Sequence, residues 1–310
     1  MKLVQRGAWV ATVLTYFLIT LGGTVLATGS GLSCPDWPFC YGETYHAGTY
    51  HTFLEQFHRF TAATVSILIV LLVIGIFRWA RRDRILLTLA VAAPILLAVQ
   101  IVLGGLTVLW QLPPQIIMAH LGTALVLFAL MIIIAVLSAK PTPRERVLEK
   151  AAPGSARAFA YLAIANALLV YILMLLGSYV TGSSAALACT GWPLCAPAWW
   201  AVSNHLAAIN ILHRVFATVV GLITVWTIVW AWRRRRVAPG QATIALAAGV
   251  FFICQAIAGA VIVLDREPVF VVGLHLALGT LTWGTLVLLA AFAYRQTRAT
   301  KQSVAPTPDK

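Results

Sequence analysis

Long apolar runs alternate with short polar segments along the whole 310-residue chain. Eight of these runs approach or exceed the roughly 20 residues that an α-helix needs to cross a bilayer. Backbone groups in lipid must find hydrogen-bond partners within their own segment, so each run predicts a transmembrane helix. The predicted spans are 8–27, 55–77, 86–109, 115–138, 158–181, 207–232, 243–264 and 269–293.

The composition agrees with an integral membrane protein. Hydrophobic residues make up 61% of the chain and charged residues only 10%, whereas a soluble domain carries about 25% charged residues. The net charge of +13 does not indicate nucleic-acid binding, because the basic residues stand in short clusters between apolar runs.

The basic clusters predict how the chain is oriented. They lie at the N-terminus, after the second, fourth and sixth spans, and in the C-terminal tail, whereas the other loops contain only Arg266. By the positive-inside rule, both termini are then cytoplasmic. The connections that contain cysteines face the other side, where disulfides can persist.

The second half of the chain repeats the first at an offset of 155 residues. The motif SCPDWPFC at 33–40 returns as ACTGWPLC at 188–195. The same offset joins identical residues in the spans: Gly22 and Gly177, His58 and His213, Arg59 and Arg214, Gln100 and Gln255, Gly104 and Gly259, His120 and His275. Each unit has an even number of spans, so both copies keep one orientation, as in parallel repeats.

The sequence therefore predicts an all-α integral membrane protein, with eight transmembrane helices arranged as two tandem parallel-repeat four-helix bundles. The expected divisions are an N-terminal half at 1–139, a cytoplasmic linker at 140–157, a C-terminal half at 158–295 and a cytoplasmic tail at 296–310.

Four histidines form two pairs near the outer ends of their spans: His58 with His120, and His213 with His275. An ionisable residue inside a membrane suggests function, although a histidine can also simply hydrogen-bond a neighbouring helix. Two histidines from facing helices of a bundle can hold a planar metal macrocycle, and histidine is a usual axial ligand of haem iron. Zinc would need three or four protein ligands, so haem fits each pair better.

Small and basic residues accompany the histidines. Arg59 and Arg214 each follow a histidine directly, and they can pair with haem propionates or extend to lipid headgroups. Glycines close to the histidine spans leave room for a flat ring or permit close helix packing. These glycines are Gly104, Gly105, Gly122, Gly259 and Gly279.

The two halves differ where Glu55 in the first corresponds to Asn210 in the second. Glu55 precedes His58 by three residues, which places it one turn away on nearly the same helix face. A carboxylate beside iron can move protons or stabilise a cationic intermediate, but it can also face headgroups or pair with Arg59. The difference predicts a catalytic first half and an electron-transfer or structural second half.

The cysteine motifs permit three interpretations: a metal site, a redox dithiol or a structural staple. Five residues separate the two cysteines of each motif, which does not suit the usual short-spaced zinc pairs. Their expected location outside the membrane favours oxidation.

Together these residues resemble the haem A synthase family, in its bacterial form with paired cysteines. The resemblance covers essentially the whole chain and rests on the motifs GSGLSCPDWPFC, FLEQFHRF, MAHLGT, ACTGWPLC, NILHRV and LHLALGT. It implies an enzyme of the bacterial plasma membrane that oxidises the C8 methyl group of haem O to a formyl group. The product, haem A, serves terminal oxidases.

The resemblance also implies residue roles. Glu55 is the expected catalytic carboxylate. His58 and His120 would flank the substrate haem O, and His213 and His275 would be the axial ligands of a haem b. The expected disulfides are Cys34–Cys40 and Cys189–Cys195.

The implied partners are haem O and haem A, membrane lipid, haem O synthase and an electron donor, with no nucleic acid. Two other functions stay open from the residues alone. One is a di-haem b-type electron-transfer protein without a substrate haem, and the other is a haem transporter or chaperone. Parallel repeats, with ligands near one face, weigh against alternating access.

Overall fold

The computed structural model of the chain describes residues 1–139, 153–195 and 204–303. The helices are α1 (Lys2–Ala27), α2 (Tyr50–Trp79), α3 (Arg84–Leu109), α4 (Pro114–Leu137), α5 (Pro153–Gly182), α6 (His205–Arg233), α7 (Pro239–Leu264) and α8 (Val269–Ser303). All eight are long and apolar enough to cross a membrane. The prediction of an all-helical protein with eight spans is therefore confirmed for the described residues.

Several helices extend beyond the apolar runs, because polar residues start them in the loops. The side chain of Thr49 accepts the Thr52 N–H at the start of α2, and Asn204 accepts the Leu206 N–H at the start of α6. Such caps satisfy N–H groups that have no partner within the helix. The histidines expected at the starts of these spans consequently lie about two turns inside α2 and α6.

Two helices extend into the segments that the sequence analysis assigned to the linker and to the tail. The helix α5 begins at Pro153, so it includes the last five residues of the expected linker, and proline is well suited to the first turn of a helix. The helix α8 continues to Ser303, well into the expected tail. The rest of the linker, 140–152, and residues 304–310 lie outside the described part of the chain.

The helices pack as two groups of four. In the N-terminal bundle α1 and α3 each contact both α2 and α4, and in the C-terminal bundle α5 and α7 each contact both α6 and α8. The bundles meet through α1, α4, α5 and α8. This arrangement is consistent with a tandem duplication, which stays a prediction from the 155-residue offset.

Glycines bring the helices of the two bundles close together. A Cβ atom at Gly23 of α1 would collide with the side chain of Leu276 of α8, and one at Gly122 of α4 would lie 2.9 Å from Leu175 of α5. Lipid tails are as apolar as leucine, so helices in membranes associate mainly through close packing at small residues. For Gly122 the structure therefore shows helix packing rather than space for a flat ring.

Candidate functional site

The four predicted histidines lie in facing pairs, one pair in each bundle. The imidazole of His58 in α2 interacts electrostatically with that of His120 in α4. The imidazole of His213 in α6 interacts in the same way with that of His275 in α8. Among the described residues, α2 and α4 make no helix-to-helix contact, and neither do α6 and α8. Each pair therefore spans the interior of its bundle, from helices that lie opposite one another.

Each imidazole lies directly against a glycine of the preceding helix. In all four cases a Cβ atom added to the glycine would lie 3.0 Å from Cε1 of the ring. The contacts pair Gly22 with His58, Gly104 with His120, Gly177 with His213, and Gly259 with His275. Any larger residue would displace the ring, so the glycines set the position of each imidazole.

Three of the rings have a nitrogen without a protein partner. Nδ1 of His58, His120 and His213 is buried with no hydrogen bond, although buried polar atoms are ordinarily paired. Nδ1 of His275 lies 2.8 Å from the carbonyl oxygen of Gln255, to which it donates. That bond leaves Nε2 of His275 free of a proton and able to bind a metal.

The donor set fits haem iron. Across the described ranges no three His, Cys, Asp or Glu side chains gather as a metal ion would require. Each imidazole therefore has its facing imidazole as the available co-ligand, which is the ligation of a bis-histidine haem rather than of zinc.

Glu55 is buried beneath the first cysteine loop, with only 3% of its surface exposed. Its Oε2 accepts the Cys34 N–H at 2.8 Å, and its Oε1 pairs with Nη2 of Arg59 at 2.5 Å. A buried carboxylate is tolerated only when it is paired and hydrogen-bonded in this way. The side chain is thus held one turn from His58 and does not face lipid headgroups.

Asn210 forms a similar tether in the C-terminal bundle without a charge. Its Nδ2 donates to the carbonyl oxygens of Ala185 at 2.9 Å and Ala186 at 2.8 Å. Both side chains therefore fasten the start of a histidine helix to the loop before it. Of the two, Glu55 alone can also exchange a proton.

The two arginines bind the backbone of the cysteine loops. Nη1 of Arg59 donates to the carbonyl oxygens of Asp36 at 2.9 Å and Phe39 at 2.5 Å. Nη1 of Arg214 donates to Gly191 at 2.6 Å, and its Nη2 donates to Cys189 at 3.0 Å. A guanidinium presents several donors in a rigid fork, which suits such clusters of carbonyls. The sequence analysis named propionates or lipid headgroups as partners of the two arginines, and Glu55 as a further partner of Arg59, which the structure shows. It did not predict the bonds to the loop backbone.

We expect Arg214→Lys to loosen the second cysteine loop, because an ammonium cannot reproduce the fork of a guanidinium. The measurement is the rate at which the Cys189–Cys195 bond is opened by a mild thiol reductant, followed by labelling of the freed thiols. The rate should rise severalfold. Arg235→Lys is the control, because Arg235 lies beyond the end of α6 and binds the carbonyl of Trp232. An unchanged rate in Arg214→Lys would contradict the anchoring role.

Both cysteine loops are closed by disulfides, as the family resemblance implied. Cys34 is bonded to Cys40 and Cys189 to Cys195, with Cα atoms 4.7 and 4.9 Å apart. In the first loop the carboxylate of Asp36 accepts two backbone N–H groups. The pKa of Asp36 lies below its ordinary value, and the hydrogen bond from the Gly42 N–H is the largest cause. Each disulfide therefore closes a short loop, and the hydrogen bonds of Asp36 further hold the first one.

Trp37 lies against the bundle at a second glycine of α3. A Cβ atom at Gly105 would lie 3.0 Å from the indole ring, and the C-terminal half has Ala260 at the equivalent position. Sequence reasoning missed this contact, although the Gly104–Gly105 doublet was a signal for it. The first cysteine loop therefore packs closely against α3 at Gly105. The second loop could pack in the same way against α7 only if its tryptophan moved away from the Cβ atom of Ala260.

Comparisons with known proteins identify the family of the chain. Residues 5–52 and 44–287 match the COX15-CtaA family, described as cytochrome oxidase assembly protein. The chain is 31% identical to the haem A synthase of Exiguobacterium sp. strain AT1b, over 90% of each chain. It is 30% identical to that of Exiguobacterium sibiricum, over 90% of this chain and 91% of the relative. A third relative, the haem A synthase of Shouchella clausii, is 28% identical over 87% and 90% of the two chains.

Proposed function

The chain belongs to the COX15-CtaA family, and we infer that it is a haem A synthase, an oxidoreductase of the membrane that converts haem O to haem A. The family match extends over residues 5–52 and 44–287, so it includes both histidine pairs and both cysteine loops. The eight apolar helices make it a multi-pass membrane protein.

We propose that the two bundles hold different haems. His58 and His120 would bind the substrate haem O in the N-terminal bundle, and His213 and His275 would bind a resident haem b in the C-terminal bundle. The support is the facing imidazoles, their glycine contacts and the lack of any third ligand among the described residues near them. When bound, haem b would supply one-electron redox chemistry.

We propose Glu55 as the residue that accepts and releases protons during oxidation of the substrate methyl group. Its burial and its bonds to Arg59 and the Cys34 N–H would hold the carboxylate in one orientation. A fixed base avoids the cost of reorganising at the moment of reaction. The disulfide-closed loop above it would limit entry of water.

Arg59 and Arg214 are further proposed as neighbours of the haem propionates, since each directly follows a proposed axial histidine. Their Nη groups would keep their bonds to the loop carbonyls. The loop backbone and a propionate would then share one guanidinium, which offers five donors.

We propose that both termini lie in the cytoplasm and that the cysteine loops lie outside, in the plasma membrane of a bacterium. The distribution of lysine and arginine supports this orientation. The substrate would come from a haem O synthase. Conversion of the methyl group to a formyl group removes four electrons from the substrate and adds one oxygen atom, so the reaction would also need dioxygen as the oxidant and an electron donor for its reduction.

The observation that carries the proposal is an asymmetry between the two sites: both have a histidine pair, but Glu55 of the first corresponds to Asn210 in the second. The test is to extract the pigments from the purified protein. Haem b together with haem O or haem A is the expected result. Haem b alone, at two per chain, would overturn the proposal and indicate an electron carrier.

We expect Gly177→Ala to weaken haem retention in the C-terminal bundle, because the new methyl group would lie 3.0 Å from Cε1 of His213. The ring must move by a few tenths of an ångström and would no longer point squarely at the iron. The measurement is the ratio of haem b to protein after purification. Gly7→Ala is the control, because its Cβ would have ordinary contact, 3.6 Å from Leu72. Equal ratios in the two variants would contradict the positioning role of Gly177.

A further inference from the structure

Four aromatic residues form a continuous row across the interface between the two bundles. The ring centroids of Tyr16 and Phe128 are 6.4 Å apart, those of Phe128 and Trp283 are 6.3 Å apart, and those of Trp283 and Tyr171 are 5.7 Å apart. The residues belong to α1, α4, α8 and α5, the helices through which the bundles meet. We call these four residues the aromatic row.

The row follows the internal repeat of the sequence. At the offset of 155 residues, Tyr16 corresponds to Tyr171 and Phe128 corresponds to Trp283. The two central residues, Phe128 and Trp283, face each other across the contact between α4 and α8. Tyr16 extends the row into the N-terminal bundle, and Tyr171 extends it into the C-terminal bundle. Phe128 and Trp283 are each only 4% exposed, so the centre of the row is dry.

The row lies at a similar depth below both histidine pairs. Phe128 comes eight residues after His120 on α4, and Trp283 comes eight residues after His275 on α8. At 1.5 Å per helical residue these separations are about 12 Å. Tyr16 and Tyr171 each come six residues before a glycine that contacts the other histidine of the pair, Gly22 against His58 and Gly177 against His213. Six residues correspond to a rise of about 9 Å along the helix. The row therefore connects the regions directly beneath the two pairs.

Resting on the proposed function, with one haem in each bundle, we propose that the aromatic row is the path by which an electron passes between the bundles. The haem b held by His213 and His275 would supply one electron and be oxidised, and the haem held by His58 and His120 would accept that electron and be reduced. No bond forms or breaks, no proton moves, and the aromatic rings couple donor to acceptor without being oxidised.

Packing alone is the rival explanation, because buried aromatic pairs with centroids 4.5–7 Å apart also stabilise protein cores. Trp283 contributes a structural bond as well, since its Nε1–H donates to the carbonyl oxygen of Ala167 at 2.9 Å. The two explanations differ in what a replacement of Trp283 does. Electron coupling depends on the delocalised ring, whereas the bond to Ala167 depends on the indole N–H.

The test measures electron transfer between the haems in the full-length protein, loaded with haem b and with the product haem A. The formyl group shifts the absorption of haem A to longer wavelength, so the two irons can be followed separately. A radiolysis pulse delivers less than one electron per protein, and the redistribution between haems is then recorded. Trp283→Leu should slow the redistribution by roughly an order of magnitude, whereas Trp283→Phe, which keeps a ring and removes the N–H, should stay close to the unmodified protein.

Phe159→Leu is the matched control. Phe159 is a fully buried aromatic residue of α5 that contacts Trp230 and lies outside the row. It should alter stability without slowing electron redistribution. An equal slowing in Phe159→Leu and Trp283→Leu would attribute the effect to packing and overturn the inference.

The haem content of each variant is measured first, which separates this inference from the proposed function. A protein that never holds a haem in each bundle contradicts the proposed function. Full loading of both sites with an unchanged rate in Trp283→Leu contradicts the path. If Trp283→Leu does not accumulate, Phe128→Leu replaces the neighbouring ring of the same row. An unchanged rate of electron redistribution in that variant would also contradict the path.

Discussion

Replacing Glu55 with alanine is expected to abolish haem A formation while haem b stays bound in the other bundle. The reason is that the substitution removes the buried carboxylate that the first site has and the second lacks, and general acid–base groups typically contribute about 10²–10⁴-fold to a rate. The measurement is the ratio of haem A to haem O in pigment extracts. The reduced-minus-oxidised spectrum of the same preparation reports haem b.

The design must separate lost chemistry from a disturbed loop, because Glu55 also accepts the Cys34 N–H and pairs with Arg59. Removing one partner of a buried ion pair can cost about 3–5 kcal/mol. Glu55→Gln keeps an oxygen for the Cys34 N–H but cannot act as a base, so it should also lose activity. Asn210→Ala removes the corresponding tether of the C-terminal bundle and should preserve most haem A formation. Normal haem A formation in both Glu55 variants would contradict the catalytic role of Glu55.

Replacing His213 with alanine is expected to remove nearly all haem b from the protein. The substitution deletes one of two proposed axial ligands, and no third potential ligand in the described chain is gathered with the pair. The loss of affinity should exceed the roughly 10- to 100-fold that substitutions in the outer shell of a metal site cost. Haem b per chain is measured by conversion to the pyridine complex after purification.

His205→Ala is the control for this experiment, because His205 begins the same helix and is exposed. It should leave haem b content unchanged. His275→Ala should repeat the loss, since both members of the pair are proposed as ligands. Wild-type haem b content in both His213→Ala and His275→Ala would contradict the assignment of haem b to the C-terminal bundle.

The sequence was sufficient to predict which segments form helices, but it predicted the ends of those helices less well. Apolar runs long enough to cross a bilayer predict helices because an unpaired backbone is too costly in lipid. The ends depend on single residues in the loops, as with Thr49 and α2. The helix α5 likewise begins at Pro153, five residues before the predicted span.

The candidate site was partly predictable, and Glu55 shows why. Its place one turn before His58 follows from helix geometry, and its difference from Asn210 was visible in the repeat. Its partners were not all visible, because the Cys34 N–H lies 21 residues away and meets the carboxylate only when the loop folds over α2. Contacts between a loop and a helix have no periodic signal in a sequence.

Hydrophobic length and residue spacing are local properties of the chain, so they were enough to predict the class of the protein, the histidine pairs and the family resemblance. The folded structure was needed to show which groups the arginines bind, which glycines lie against the imidazoles, and that Tyr16, Phe128, Trp283 and Tyr171 form one row. These features arise from side chains on different helices, and the packing of the two bundles brings them together. Their placement depends on distances of a few ångströms between elements, which residue spacing along one chain does not specify.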